Sequence, residues 1–233
     1  MYLLLFRNNI NQEVRVFSPM NKELWKKIID NNLTPIYLTK DGKNVFSIKL
    51  NQDQILLSYF DDNNSINCAI IRDPKYKSGD YIPIIKGNIL SDSVLISFPS
   101  ASWFSIYKND GTLLSNQPDA KIKFLDLFAS FSTGFLCAKQ FDSKLYYIDN
   151  LGKIIWVKDL KMPIQSIDGN EHYGCVSLGN IGYKGSILLI NDKGQLNYLK
   201  VDNSFQVVKI DESKPSVIGF IVPTKVSYFN FSL

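Results

Sequence analysis

Short apolar segments separated by polar turns occupy nearly the whole chain. Residues 144–157, KLYYIDNLGKIIWV, show the pattern best, because apolar residues stand on both sides of a turn that contains Asp149, Asn150 and Gly152. Asn, Asp and Gly supply the left-handed backbone conformations that tight hairpins need. The segment therefore predicts two antiparallel strands, and similar pairs recur from residue 34 to the C-terminus.

One segment has a different periodicity. Within residues 22–31, KELWKKIIDN, the apolar side chains are Leu24, Trp25, Ile28 and Ile29. This spacing places them on one face of a helix, and Ser18 or Asn21 is a suitable cap. The pattern predicts one short helix near residues 20–32, which lies over the sheet with Trp25 as its anchor.

The strand pairs repeat at a fixed distance. Gly111, Gly152 and Gly194 each close a turn, and they are separated by 41 and 42 residues. A period near 42 with four strands per unit is typical of a β-propeller blade. We predict an all-β fold, with residues 1–233 forming a single β-propeller domain of five four-stranded blades. Residues 217–222 would supply the innermost strand of the N-terminal blade, so that both ends of the chain close the ring. A six-bladed count and a two-sheet sandwich are the alternatives.

The segment DNLGKIIW, which runs from Asp149 to Trp156, resembles the blade motif of quinoprotein-type (PQQ-like) propeller repeats. Only this copy is nearly complete, because the copies at Gly111 and Gly194 keep the turn but lack the tryptophan. The resemblance implies structural roles, with Gly152 fitting the turn and Trp156 packing between blades. It implies the fold and no cofactor, since the ligands of the quinone-dependent members are not found in this chain.

Composition and charge narrow the function classes. The chain has 26 basic and 22 acidic residues, and its only arginines are Arg7, Arg15 and Arg72. Because the basic residues are scattered and arginine is the usual reader of phosphates and bases, we expect no nucleic-acid partner. No run of 18 apolar residues occurs, and the apolar N-terminal stretch is only five residues long. We therefore expect a cytoplasmic protein with no membrane partner.

The cysteines do not suggest a metal or disulfide site. Cys68, Cys137 and Cys175 are far apart, and each stands in an apolar strand pattern. We interpret them as small buried hydrophobic residues.

The single histidine, His172, stands in a polar predicted loop. Its neighbours in IDGNEHYG are Asp168, Glu171 and Tyr173. One interpretation makes His172 a general base or metal ligand that Asp168 or Glu171 orients. The alternative is a polar connecting loop, and a lone histidine without a second ligand argues against zinc. We predict no catalytic residue, no metal and no cofactor, and retain the loop residues as candidate binding residues.

Aromatic side chains in or beside other loops are further candidate binding residues. They are Tyr81, Trp103, Phe104 and Tyr183. Such residues anchor protein interfaces and also stack on sugars, whereas the alternative is packing between blades. Paired carboxylates could hydrolyse glycosides, but the five strands that we assign to the channel contain no acidic residue (VFSIKL, VLISFP, GFLCAK, GCVSL and VIGFIV).

These observations favour a non-enzymatic, monomeric β-propeller that binds a protein partner. A bacterial immunity protein that neutralises a toxin domain fits this description. The hypothesis from another class is a glycan-binding or glycan-processing five-bladed propeller.

Overall fold

The described residues form six antiparallel sheets that follow one another along the chain. The computed structural model describes residues 1–7, 11–39, 41–51, 54–71, 84–98, 103–116, 122, 125–180, 183–202, 204–210, 216–221 and 225–230. Sheet A contains β1 (Tyr2–Arg7), β2 (Gln12–Phe17) and β3 (Glu23–Ile29). Sheet B contains β4 (Leu33–Leu38), β5 (Val45–Leu50), β6 (Ile55–Phe60) and β7 (Ser65–Ile71). Sheet C contains β8 (Ile84–Asn88), β9 (Ser93–Phe98), β10 (Trp103–Lys108) and β11 (Leu113–Asn116).

The second half of the chain continues the same plan. Sheet D contains β12 (Leu127–Phe131), β13 (Gly134–Ala138), β14 (Lys144–Asp149) and β15 (Ile154–Asp159). Sheet E contains β16 (Ile164–Gly169), β17 (Tyr173–Leu178), β18 (Gly185–Asn191) and β19 (Leu196–Val201). Sheet F contains β20 (Val207–Ile210), β21 (Ser216–Ile221) and β22 (Lys225–Asn230). Each sheet is a meander in which every strand pairs with the next, and the described residues form no α-helix.

Five hydrophobic layers hold the six sheets together. One layer lies between each pair of consecutive sheets. Inner strands are therefore covered on both faces, and all five residues of β13 are buried. This explains why such strands read as continuous apolar runs rather than as alternating patterns. The predicted burial of Cys137 and Cys175 is confirmed, and burial raises the pKa of both thiols.

The first strands of sheets B to F lie next to one another. The strand β4 contacts β8, which contacts β12, and the series continues through β16 to β20. The strands that we had assigned to this innermost position are the second strands of their sheets, β5, β9, β13, β17 and β21. The misassignment arose because the second strands are the more apolar, being covered on both faces.

The predicted helix near residues 20–32 is wrong, because this segment forms β3. Its residues pair with β2, with Val16 opposite Trp25 and Gln12 opposite Ile29. Asn21 has a φ of 61° in the hairpin turn before the strand. Alternating exposure along β3 explains the error: Trp25 and Ile29 point to the core, whereas Ile28 points outward. Leu24 and Ile28 lie on one face of the strand, and Trp25 and Ile29 lie on the other. Together the two pairs have the sequence spacing of one face of a helix.

A substitution at Lys26 distinguishes the strand from a helix. We expect Lys26→Thr to be more stable than Lys26→Ala by roughly 0.5–1 kcal/mol, because β-branched residues favour an exposed strand position. Both variants remove the positive charge opposite Arg15, so that change cancels in the comparison. Urea unfolding of the two proteins measures the difference. A more stable alanine variant would indicate a helix, where alanine is the better residue.

Neither the count of five blades nor the closure of the ring is confirmed. The described residues form four four-stranded sheets and two three-stranded sheets at the chain ends. Residues 217–222 were expected to complete the N-terminal blade. Instead β21 lies between β20 and β22 in sheet F. No closed sheet joins the two ends in the described part of the chain.

The turn glycines and the motif tryptophan have the roles that the PQQ-like resemblance implies. Gly111, Gly152 and Gly194 have φ values of 87°, 73° and 76°, which residues with a side chain rarely adopt. Trp156 packs against the hydrophobic layer between sheets D and E. Its indole Nε1 is 3.5 Å from the position that a Cβ would take at Gly194, in the last turn of sheet E. The motif therefore joins one sheet to the next.

Candidate functional site

Sheet A has one covered face and one exposed face. We call the exposed one the N-terminal face, and it is formed by Leu4, Phe6, Glu13, Arg15, Leu24, Lys26 and Ile28. Its four large apolar side chains are between 43% and 63% exposed. Monomeric proteins rarely leave several such residues together in contact with water, and patches of this kind are typical of interaction sites.

Strand register places these side chains together. In one row, Leu4 lies opposite Arg15, which lies opposite Lys26. In the next row, Phe6 and Ile28 lie on either side of Glu13. Residues that are paired across antiparallel strands share a face, so the two rows form one surface across three strands.

The opposite face of sheet A packs against sheet B. Val14, Val16 and Ile29 are buried there against Val45 and Phe60 of sheet B. The indole N–H of Trp25 donates a hydrogen bond of 2.8 Å to the carbonyl oxygen of Gly42. Sheet A is thus anchored through one face, and the N-terminal face is presented on a rigid support.

Charged side chains organise the centre of the N-terminal face. The Arg15 guanidinium lies 4.8 Å from the centroid of the Phe6 ring, within the range of a cation–π contact. It also pairs with Glu13, and its Nη1 is 3.6 Å from the Glu23 carboxylate. Exposed ion pairs of this kind contribute little to folding. Their effect is to hold the Arg15 guanidinium near the Phe6 ring.

A cleft of about 300 Å³ adjoins the N-terminal face, with Ile28 on its rim. It lies between β3 and sheet B. Lys49 Nζ is 2.6 Å from an oxygen of Asp30 at the cleft wall, and this hydrogen bond lowers the pKa of the Asp30 carboxyl. Apolar and charged side chains are therefore mixed in the cleft, as on the face beside it.

The loop that contains His172 is a turn closed by Asn170. The Asn170 side-chain oxygen accepts hydrogen bonds from the backbone N–H of His172, at 2.9 Å, and of Tyr173, at 2.7 Å. His172 is exposed, and its ring is 6.3 Å from that of Tyr173 in an edge-on arrangement. Glu171 lies in the same turn and is partly buried. The turn holds these three residues close together.

Asp168 does not orient His172, in contrast to one of the interpretations of the sequence. It belongs to β16, and its carboxylate accepts hydrogen bonds from the backbone N–H of Ile210, at 3.1 Å, and from Lys209 Nζ, at 3.4 Å. Both partners belong to β20. Because β16 is a first strand, the expectation that the innermost strands lack acidic residues is wrong. The acid content of these strands therefore does not argue against a hydrolase with its active site in the channel.

The aromatic candidates are dispersed. The Phe104 side chain is 1% exposed and packs edge-on against Phe128 in the core between sheets C and D, so it cannot serve as an exposed anchor. Trp103 begins β10, but its side chain lies outside the described part of the structure, as does Tyr81. Tyr183 is 71% exposed and is the only loop aromatic among the described candidates with this degree of exposure.

The N-terminal face was missed in the sequence because residues 20–32 were interpreted as a helix. A strand interpretation places Leu24, Lys26 and Ile28 on one side and Trp25, Lys27 and Ile29 on the other. The signal that could have revealed it is the turn at Asn21, which separates two segments of similar length and similar apolar content. A hairpin of β2 and β3 follows from that turn.

No group of three or more His, Cys, Asp or Glu side chains is arranged to hold a metal ion within the described ranges. Nor do the described ranges contain a helix that is long and apolar enough to cross a membrane.

Comparisons with known proteins identify the fold. No family model matches the chain, and no curated protein matches it. BBS1N, solved in complex with ARL6DN, has 9% identity and a TM-score of 0.58 over 97% of this chain and 74% of that chain. BamB from Moraxella catarrhalis has 11% identity and a TM-score of 0.55 over 98% and 70%. The Dos1 propeller has 11% identity and a TM-score of 0.52 over 95% and 76%.

These similarities agree with the repeat in the sequence and with the series of antiparallel sheets. At such low identity they concern the fold alone. The chain has an all-β structure similar to β-propellers, and its resemblance to PQQ-like repeats holds at the level of the fold.

Proposed function

We propose that this protein binds another protein through the N-terminal face. The observation that carries the proposal is the exposure of Leu4, Phe6, Leu24 and Ile28 on one side of a sheet whose other side is buried. Apolar side chains on both sides of a central arginine, with an aromatic ring in contact with that arginine, have the composition of protein interfaces. The fold neighbour BBS1N was solved with a protein partner, which supports a binding role for this type of scaffold.

The more specific proposal is that the partner is a toxin domain and that the protein is a bacterial immunity protein. A dedicated inhibitor needs a rigid surface that does not reorganise on binding, because preorganisation lowers the cost of association. The anchored sheet A has this property. The proposal places one copy of the chain with one toxin domain in the cytoplasm.

The test uses a toxin domain encoded beside the gene of this protein. We expect co-expression to restore growth of cells that produce the toxin. The double variant Leu24→Asp, Ile28→Asp should fail to do so, and its affinity for the purified toxin should fall by about 100-fold or more. Two buried carboxylates at an apolar contact cost about 2 kcal/mol or more each when unpaired. Calorimetric titration of the purified proteins measures the affinity.

Ile155→Asp is the matched control, because Ile155 is 50% exposed on the last strand of sheet D, away from the N-terminal face. It should bind the toxin as the unmodified protein does. Equal binding by the double variant and the unmodified protein would contradict the assignment of the face. If no neighbouring toxin is neutralised and an oligosaccharide raises the melting temperature, the glycan-binding hypothesis replaces the inhibitor.

A further inference from the structure

The fourth strand of each four-stranded sheet covers part of the sheet that follows it. These strands contribute apolar side chains to the layers between sheets, namely Ala69 and Ile71 of β7, Leu114 of β11, Trp156 of β15, and Leu199 and Val201 of β19. Trp156 packs in one layer with Leu188 and Ile190 of β18 and with Leu196 of β19. A fourth strand therefore lies over the third and fourth strands of the next sheet.

Sheet A has only three strands in the described part of the chain, and a cleft opens where its fourth strand would lie. The cleft of about 300 Å³ has β3 on one side and sheet B on the other. Its lining in sheet B includes Leu56 and Ser58 of β6 and Ser65 of β7. Ile70 of β7 is paired with Leu56 and is 51% exposed on the same side. The third and fourth strands of sheet B are thus the ones left uncovered.

The outer edge of β3 is suited to pairing with another strand. Among the described strands, β3 pairs with β2 alone, so one of its two edges is used. The strand Glu23–Ile29 contains no proline, and every residue in it carries a backbone N–H. Unpaired edges of this kind are templates for a strand from another chain. A strand bound at this edge would also reach the side chains of the cleft.

The charges in the cleft favour an acidic side chain on the bound strand. Lys27 and Lys49 both line the cleft, and Asp30 is the only carboxylate among its described lining residues. Lys49 Nζ is paired with Asp30 at 2.6 Å, whereas Lys27 Nζ donates a hydrogen bond of 2.9 Å to the backbone carbonyl oxygen of Asn64. Because this carbonyl carries no net charge, a carboxylate opposite Lys27 on a neighbouring strand would be favourable.

We propose that an extended segment of the partner protein pairs with β3 and becomes the fourth strand of sheet A. Alternate side chains of the segment enter the cleft, where apolar ones cover Leu56 and Ile70 and an acidic one lies beside Lys27. The side chains between them lie next to Leu24 and Ile28 and extend the N-terminal face. The strand site rests on the proposed protein-binding role of that face and specifies how the partner binds.

A synthetic peptide tests whether the cleft accepts a strand. The sequence KIIWVKD, from residues 153–159, contains the fourth strand of sheet D and would direct Trp156 and Lys158 into the cleft. We expect the fluorescein-labelled peptide to bind the full chain saturably. The same peptide with Lys158→Glu should bind about fivefold more tightly, because an opposite charge replaces a like charge beside Lys27. Fluorescence anisotropy measures both affinities, and absence of saturable binding by both peptides would overturn the proposal.

Peptides with methylated backbone nitrogens test the pairing with β3. The N–H groups of alternate residues point to the same edge of a strand. One peptide carries methyl groups on the nitrogens of Ile154, Trp156 and Lys158, and a second carries them on the alternate residues. Because one edge faces β3, one peptide should bind as the unmethylated peptide does and the other about tenfold or more weakly. Equal affinities of the two methylated peptides would overturn the proposal.

Ser65→Trp fills the cleft and leaves the N-terminal face unchanged, because Ser65 is exposed and lines the cleft at the start of β7. It should weaken peptide binding about tenfold or more, since the indole occupies the place of the peptide side chains. Thr112→Trp is the matched control, because Thr112 is exposed directly before β11, the fourth strand of sheet C. Equal peptide binding by the two variants would contradict the assignment of the cleft. If Ser65→Trp does not fold, the methylated peptides decide with the unmodified protein.

Binding of the toxin domain separates the strand site from the proposed function. If the Leu24→Asp, Ile28→Asp variant loses toxin binding and Ser65→Trp retains it, the partner adds no strand and the proposed function stands. If the peptides behave as expected and no toxin binds, the strand site stands and the proposed function fails. A dimer that dissociates when the peptide is added would show that a second copy supplies the strand, and it would overturn the assignment to a partner.

Discussion

Replacing Asn88 with alanine is expected to lower the free energy of unfolding by about 3 kcal/mol. The buried Asn88 side chain connects sheet C to sheet D. Its amide nitrogen donates to the carbonyl oxygens of Ser132, at 3.0 Å, and Gly134, at 2.6 Å. Its oxygen accepts from the N–H groups of Leu90 and Ser91, at 3.0 and 3.3 Å. Alanine would remove these four hydrogen bonds, and each buried backbone group that loses its partner costs about 1–3 kcal/mol unless water reaches it.

The corresponding fall in melting temperature is about 6–12 °C for a protein of this length. Calorimetry or thermal circular dichroism measures it. Asn63→Ala is the control, because the Asn63 amide bonds only to the exposed Asp62 carboxylate among the described contacts, and a change within about 0.5 kcal/mol is expected. Similar effects for the two alanine variants would mean that Asn88 does not join the sheets.

Asn88→Asp separates the two roles of the side chain. It keeps an oxygen for the Leu90 and Ser91 N–H groups but loses the amide donor. A carboxylate oxygen would then face the Ser132 and Gly134 carbonyl oxygens in a buried place. We expect this variant to be at least as unstable as Asn88→Ala at neutral pH, because the unfavourable contact is added to the lost hydrogen bonds.

Truncation of Trp156 to alanine is expected to cost about 2–4 kcal/mol, because the indole fills the space between sheets D and E. The ring lies 5.4 Å from that of Tyr147 and packs against the Gly194 turn of the next sheet. Substitution by phenylalanine keeps much of this apolar contact. Denaturant unfolding of Trp156→Ala and Trp156→Phe measures the two costs.

The two described tryptophan side chains allow a sharper comparison. Trp156 Nε1 is buried without a hydrogen-bond partner among the described residues, whereas Trp25 Nε1 donates to Gly42. Loss of the N–H should therefore cost nothing at residue 156, and about 1–3 kcal/mol at residue 25, where a buried carbonyl would lose its donor. We expect Trp156→Phe to be less destabilising than Trp25→Phe. The reverse order would contradict the assigned hydrogen bond.

Local patterns were sufficient for the repeating part of the fold. The turns at Gly111, Gly152 and Gly194 each contain Asn, Asp and Gly, and they need backbone conformations that few residues adopt. Each turn can therefore be recognised in the sequence. The apolar runs between them lie in buried strands. For this reason the strand pairs and the period could be predicted without coordinates, whereas the structural role of Trp156 was implied by the resemblance to PQQ-like repeats.

The candidate site was not predictable in the same way. Leu24 and Ile28 are four residues apart, and this spacing is compatible with a helix or with one side of a strand. Pairing with β2 decides between them, and it is a contact between separate segments. The interpretation of Phe104 failed for a related reason, because a residue beside a loop is buried when the next sheet covers it.

The sequence by itself determined that this protein is built from repeated antiparallel strand units, because turn chemistry and alternation are local properties of the chain. Only the tertiary structure decided which strands of neighbouring sheets lie side by side, which face of sheet A is covered, and which charges meet between β16 and β20. Those features depend on how distant segments pair and pack, and side chains far apart in the sequence become neighbours only then.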